Sequence, residues 1–291
     1  MGPDPVPDDG GSCEGARMAG EDREGGEQVL RTATAVAREV LGDRLSAAFA
    51  LGSLAHGGFA PLASDIDLAL VLDSLPDDVG ARVAAIRRAT VERAGNPLAE
   101  RLSVFWSDWH GVRHGAGPCS RLPAVDRLDL LDDGRLLYGV DERGDATRPA
   151  PTTLVVEAAQ FAVERFDRAY LAALHRTEEQ VAAGPRVASK AAMFPIRFLY
   201  TLASGRMGHN GAAATWYGRH GAHAPLAHAA MRWRESGIDD AAAAVRDLRA
   251  HLVGVYVEFF DAYAPAVAAA GEGPVADALL GRRAELLSAA P

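Results

Sequence analysis

The stretch from Ala48 to Leu72, AFALGSLAHGGFAPLASDIDLALVL, constrains this chain more than any other part of it. It reads as an apolar strand, a Gly52-Ser53 pair opening a helix, a loop, and a second strand carrying Asp65 and Asp67. Side chains alternate across a strand, so carboxylates two residues apart project to one face. Two such acids side by side are unfavourable unless a cation sits between them. Mg²⁺ suits the place, since it takes a few carboxylate oxygens and fills its octahedron with water and phosphate oxygens. Gly52 lets backbone come close to a ligand, and Ser53 can cap the helix or bond a phosphate oxygen. The pattern is that of a nucleotide-handling site.

The rest of the chain organises around this stretch. Residues 1–26 lack apolar periodicity and are expected to form a disordered tail, with Met18 an alternative start. From Glu27, the spacing of Val29, Leu30, Ala33, Val36, Val40 and Leu41 predicts an amphipathic helix. Strands are expected at Ala48–Leu51, Leu68–Leu72, Leu102–Trp106 and Arg135–Tyr138, with a helix over Asp77–Ala94 and a Gly/Pro loop over Val112–Pro123. Val125–Leu131 reads as a short helix or an irregular piece. Asp141–Pro151 is a linker by composition, and beyond it the sequence turns Ala-rich and helical. Thr153–Ala182, Val187–Ser204 and Ala241–Ala264 read as long helices, with shorter ones at Gly211–Gly218 and Ala224–Glu235. The expected fold class is α+β: a small mixed sheet flanked by helices over residues 27–150, then an α-helical bundle over 151–291.

Gly52-Ser53, the spacer with Gly57, and Ser64-Asp65-Ile66-Asp67-Leu68 together resemble the signature of the polymerase-β-like nucleotidyltransferase superfamily. The resemblance implies transfer of a nucleoside monophosphate from an NTP to a hydroxyl. Asp65 and Asp67 would be the catalytic metal ligands, with Gly52, Ser53 and Ser64 on the nucleotide. In the second half, Arg197-Phe-Leu-Tyr-Thr-Leu-Ala-Ser-Gly205-Arg206 followed by Ala213-Ala214-Thr215-Trp216 is similar to the helical domain of the aminoglycoside (streptomycin/spectinomycin) adenylyltransferases. That likeness implies ATP as donor, Mg²⁺ as cofactor and a small-molecule acceptor, with an aminoglycoside as one such acceptor. Lys190, the sole lysine, and Arg197 fall on one helix face with Phe194 and Thr201. Both cations suit a triphosphate, since Arg grips phosphate through its fork. Trp216 and Tyr217 offer rings for stacking or for a core. Where the relatives carry a second nucleotide-binding lysine, this chain has Asn210, with His209 beside it.

The catalytic set is incomplete by the family pattern. A third carboxylate is expected on the third strand, where this chain has Ser103. Parity puts Arg101, Ser103, Phe105 and Ser107 on one face, so Glu100 and Asp108 point the other way. Asp126, Asp129 and Glu157 are the remaining acids that can reach the site, although Arg127-Leu128-Asp129 reads as a solvated, ion-paired face. Two readings follow: an active Mg²⁺-dependent adenylyltransferase-like enzyme, or a nucleotide-binding sensor of the same fold that has lost turnover. A net charge of -9 without a basic, aromatic-interleaved stripe argues against nucleic-acid partners. Cys13 and Cys119 make no disulfide framework, and no secretory signal or membrane-length apolar run is read, so the cytoplasm is expected.

Overall fold

The structure, a computed structural model, describes residues 10–115, 117 and 119–289. Its sheet is built on β1, Leu45–Leu51, a continuous apolar run because both of its faces are covered. Ala47, Phe49 and Leu51 join one layer of the core with Ala69 and Val71. Ala48 and Ala50 join the opposite layer with Leu68 and Leu70. The sheet order is β3-β2-β1-β4, with β2 Ile66–Leu72, β3 Leu102–Asp108 and β4 Arg135–Gly139. β1 pairs antiparallel with β2 and β4, whereas β2 and β3 run parallel, so the sheet is mixed. A parallel pair needs a crossover, supplied here by helix α3, Val79–Ala94.

Helix α1, Gly10–Leu41, packs with α3 on one face of the sheet. It starts well before Glu27, which corrects the expected tail: Gly10–Gly26 are helical, and only residues 1–9 of that tail lie outside the described residues. Helix α2, Gly52–His56, leaves the end of β1 as the sequence requires. Helices α4, Trp109–His114, and α5, Ala124–Asp133, lie on the other face. Helix α4 overlaps the start of the predicted Gly/Pro loop, at Val112–His114. Its nucleation is local, because the Asp108 carboxylate accepts from the Gly111 N–H at 2.7 Å.

From Pro151 the chain is helical: α6 Pro151–Arg165, α7 Arg168–Ala173, α8 Thr177–Ala182, α9 Pro185–Ser204, α10 Asn210–His220, α11 Ala224–Ser236, α12 Ala241–Ala269 and α13 Gly273–Ser288. The single helix expected over Thr153–Ala182 is three. Phe166, fully buried, ends the first, and Asp167 caps the next by accepting from the Tyr170 N–H at 2.8 Å. Pro195 lies inside α9 and cannot bond the Ala191 carbonyl four residues back. The Tyr256 hydroxyl of α12 donates to that carbonyl at 3.1 Å, and the Tyr170 hydroxyl meets Tyr256 at 2.5 Å. By length and composition α12 is apolar enough to cross a membrane, which corrects the expectation of no such run. Its Leu248, Leu252, Val255, Phe259, Tyr263 and Val267 are nonetheless buried in the helical core. The sheet-bearing and helical halves meet where Ala124 and Leu128 of α5 pack on Leu154 of α6.

Candidate active site

Gly52 sits at φ +60°, a left-handed conformation that side-chain-bearing residues avoid, and a Cβ there would lie 2.5 Å from Oδ2 of Asp67. The glycine is therefore what lets the bend after β1 lie directly against a carboxylate. The register agrees: Asp67 faces Leu51, the last residue of β1. Burial pushes the Asp67 carboxyl up to about 8, helped by the negative charges of Asp65, Asp126 and Asp129 and opposed by Arg197. A carboxyl so placed keeps its proton near neutral pH, because burial and like charges disfavour its ionised form.

Asp65 immediately precedes β2 and lies in a different electrostatic setting. Its two oxygens accept from Arg186 Nη2 and Lys190 Nζ, both on α9. Burial raises the carboxyl, but the hydrogen bonds and charges of Lys190 and Arg186 outweigh it and hold Asp65 below its ordinary range. Burial lowers the Lys190 ammonium in turn, and Asp65 opposes that shift. Arg186 was not among the residues expected from sequence. The signal for it was present, since it stands one helical turn before Lys190 on the same face of α9.

Arg197, two further turns along α9, donates from Nε to the Gly208 carbonyl at 2.6 Å. Its charge reaches both Asp67 and Asp126. Lys190 therefore contacts Asp65 directly, whereas Arg197 acts on Asp67 through its charge alone. Ser53 lies half-buried in the first turn of α2. Ser64 is different from what was expected of a nucleotide ligand: its hydroxyl is buried, accepting from the Ala60 N–H at 3.0 Å and from Arg234 Nη2 at 3.3 Å. It fixes the loop ahead of Asp65 instead of facing an open cleft. Arg234 comes from α11 and is 4% exposed, with its Nε unpartnered among the described residues. Burial lowers its guanidinium to about 10, with Arg197 contributing.

In the parallel β2–β3 register Ser103 stands beside Asp67, so β3 brings no acid to this place. Helix α5 does. Asp129 is 2% exposed, and its Oδ2 accepts from the Gly52 N–H at 2.7 Å, which sets it at the same glycine that Asp67 abuts. Asp126, one turn earlier, is pushed up to about 7, first by burial and then by Asp129. The reading of Arg127-Leu128-Asp129 as a solvated face is overturned. Arg127 is 5% exposed, and its Nη1 donates to the carbonyls of Val112 and Thr147 at 3.0 and 2.7 Å. Sequence pattern misses this because the partners are the carbonyls of Val112 and Arg113 in α4 and of Thr147 in the segment before α6. Glu157 accepts from the Ala124 N–H at 2.6 Å and so caps α5 from the helical half. Trp216 and Tyr217 belong to the helical core: Tyr217 is buried with its hydroxyl on Glu258, and Trp216 packs edge-on to Tyr200.

Two groups of side chains can hold a cation. Asp65 and Asp67 fit a divalent ion by donor type, with both oxygens of Asp65 held by Arg186 and Lys190. Asp129, Asp133 and His209 form the second group, their ligand atoms all within 4.8 Å of one another.

No family model and no curated protein matches this chain. Its fold is similar to that of spectinomycin adenyltransferase AAD(9) from Enterococcus faecialis, solved with ATP and spectinomycin. The likeness has a TM-score of 0.51 at 12% identity and covers 78% of this chain and 98% of the other. At that identity the likeness is one of fold: a nucleotidyltransferase-like sheet followed by helices.

Proposed function

We propose that the chain is a Mg²⁺-dependent nucleotidyltransferase that transfers a nucleoside monophosphate, AMP from ATP, to a hydroxyl of a small-molecule acceptor. The observation that carries this reading is the abutment of the Gly52 bend on Asp67, a buried carboxyl that burial and three neighbouring acids hold protonated up to about pH 8 and that a bound cation would ionise. In this reading Asp65 and Asp67 are the metal ligands, Gly52 lets the bend come close to the β- and γ-phosphates, and Ser53 offers them its hydroxyl. A bound Mg²⁺ would supply the positive charge that draws the phosphates to these acids and offsets charge on the leaving pyrophosphate. Lys190 and Arg197 add cations from α9 on the opposite side. Holding the metal would require Asp65 to give up contacts with Arg186 and Lys190, which would leave those two cations available to the phosphates. The fold shared with an ATP- and spectinomycin-bound adenyltransferase supports ATP and an aminoglycoside-type acceptor.

Titration with ATP and Mg²⁺, followed by pyrophosphate release against a panel of aminocyclitols, tests the reading. Nucleotide binding is expected to need Mg²⁺ and to be lost in Asp65→Asn/Asp67→Asn. Binding that survives that double change would remove the metal assignment. A second reading, a nucleotide-binding sensor without turnover, is favoured by one observation: Ser103 occupies the β3 position beside Asp67. Tight Mg²⁺-dependent ATP binding with no pyrophosphate release for any acceptor would select it.

A further inference from the structure

His209, in the turn between α9 and α10, aims Nε2 at two carboxylates of α5 at once. It lies 3.3 Å from Asp129 Oδ1 and 3.4 Å from Asp133 Oδ2. Both spans exceed a good N–H···O hydrogen bond of about 2.7–3.2 Å, and a single ring nitrogen has one proton to give. They match another geometry. Ligands at about 2.0–2.2 Å from a tetrahedral Zn²⁺ stand about 3.3–3.5 Å from each other. Neighbouring ligands of an octahedral Mg²⁺, at about 2.0–2.1 Å, stand only about 2.9 Å apart. The donor set points the same way, because imidazole with carboxylate suits zinc-class ions and not Mg²⁺.

The surroundings are built to hold these groups. Asp129 and Asp133 are one turn apart on α5, so they share a face. Asp129 is nearly sealed, at 2% exposed, and its second oxygen is fixed by the Gly52 N–H. The His209 ring is stacked on His56 of α2 at 3.9 Å with 15° between planes, which fixes its orientation. Asp133 is more open, with 34% of its side chain exposed, leaving an approach for the ion and for a water as fourth ligand.

We propose that Asp129, Asp133 and His209 form a second cation site that takes a zinc-class transition ion and pins the helical half of the chain to the sheet-bearing half. The two carboxylates come from the sheet-bearing half and the imidazole from the helical half, so the ion bridges them beside the Gly52 bend. The site adjoins Asp67 across the Gly52 bend but shares no ligand with Asp65 and Asp67, and it does not depend on the proposed reaction.

The test uses the full chain, stripped of metal and free of nucleotide, titrated with Co²⁺ as a spectroscopic stand-in and then with Zn²⁺. One equivalent of Co²⁺ is expected to develop the visible bands of a four-coordinate ion. Zn²⁺ should bleach them, and excess Mg²⁺ should not. His209→Gln and Asp133→Asn should each weaken Co²⁺ binding by more than about tenfold, beyond the low end of what outer-shell changes do. Asp65→Asn/Asp67→Asn should keep the bands. Absent bands, bands that persist in His209→Gln, or bands lost only with the Asp65 and Asp67 changes would each overturn the proposal. Far-UV circular dichroism checks that the variants fold, and Asp133→Asn alters a side chain open enough to leave packing intact.

Discussion

Asp67 sets the behaviour expected at the scale of single residues. Its carboxyl is pushed from 3.8 to about 8 by burial and by neighbouring acids, so the folded chain holds a proton that the unfolded chain has lost. The contribution of Asp67 to stability is then full below about pH 4 and declines as pH climbs toward 8, because unfolding releases that proton. In metal-free buffer, thermal denaturation across this window should show the decline, and Asp67→Asn should flatten it. Mg²⁺ binding near pH 7 should expel protons, read by calorimetry in buffers of differing ionisation enthalpy. Gly52→Ala is expected to cost about 1–2 kcal/mol from the left-handed backbone alone, and more from the clash with Asp67. A denaturant melt with unchanged midpoint would contradict that contact. The two aspartates and the glycine could be read from sequence because their spacing is local. Asp129 could be named only as one of three candidate acids, and Arg186 only by its helical spacing from Lys190, since the contacts of α5 and α9 with this region are set by the tertiary fold.

At the scale of elements, the site depends on α9, which carries Arg186, Lys190 and Arg197 along one helix interrupted by Pro195. The carbonyl that the proline leaves free is paired by Tyr256 of α12. Tyr256→Phe leaves that buried acceptor unpaired and should destabilise the fold by about 1–3 kcal/mol. The denaturant midpoint reads this loss directly. A change within about 0.5 kcal/mol, ordinary for surface positions, would mean the carbonyl finds another partner. Apolar periodicity located the strands and most helices correctly, because each strand of the sheet is short and apolar on its buried faces. It ran α6, α7 and α8 together, since alanine-rich sequence favours helix throughout and the breaks come from the burial of Phe166 and the Asp167 cap. It started α1 too late in the chain because Gly and acidic residues hid the first turns.

For the molecule as a whole, the acids and the cations of the site come from opposite halves. Asp65, Asp67, Asp126 and Asp129 belong to the sheet and α5, whereas Arg186, Lys190, Arg197 and Arg234 belong to the bundle. Arg197→Ala is expected to weaken ATP affinity by about 1.5–3 kcal/mol, the scale of a hydrogen bond to a charged group. An unchanged dissociation constant would detach the bundle from the nucleotide. One further consequence follows from the amino-acid inventory. Lys190 is the sole lysine, it is 40% exposed, and burial lowers its ammonium, which increases the fraction able to react. Apart from the chain's α-amino group, an amine-directed acylating reagent therefore has one target, and that target rests on Asp65. A single mass increment, slowed or hastened as the cleft fills, would act as a built-in occupancy gauge without any engineered label.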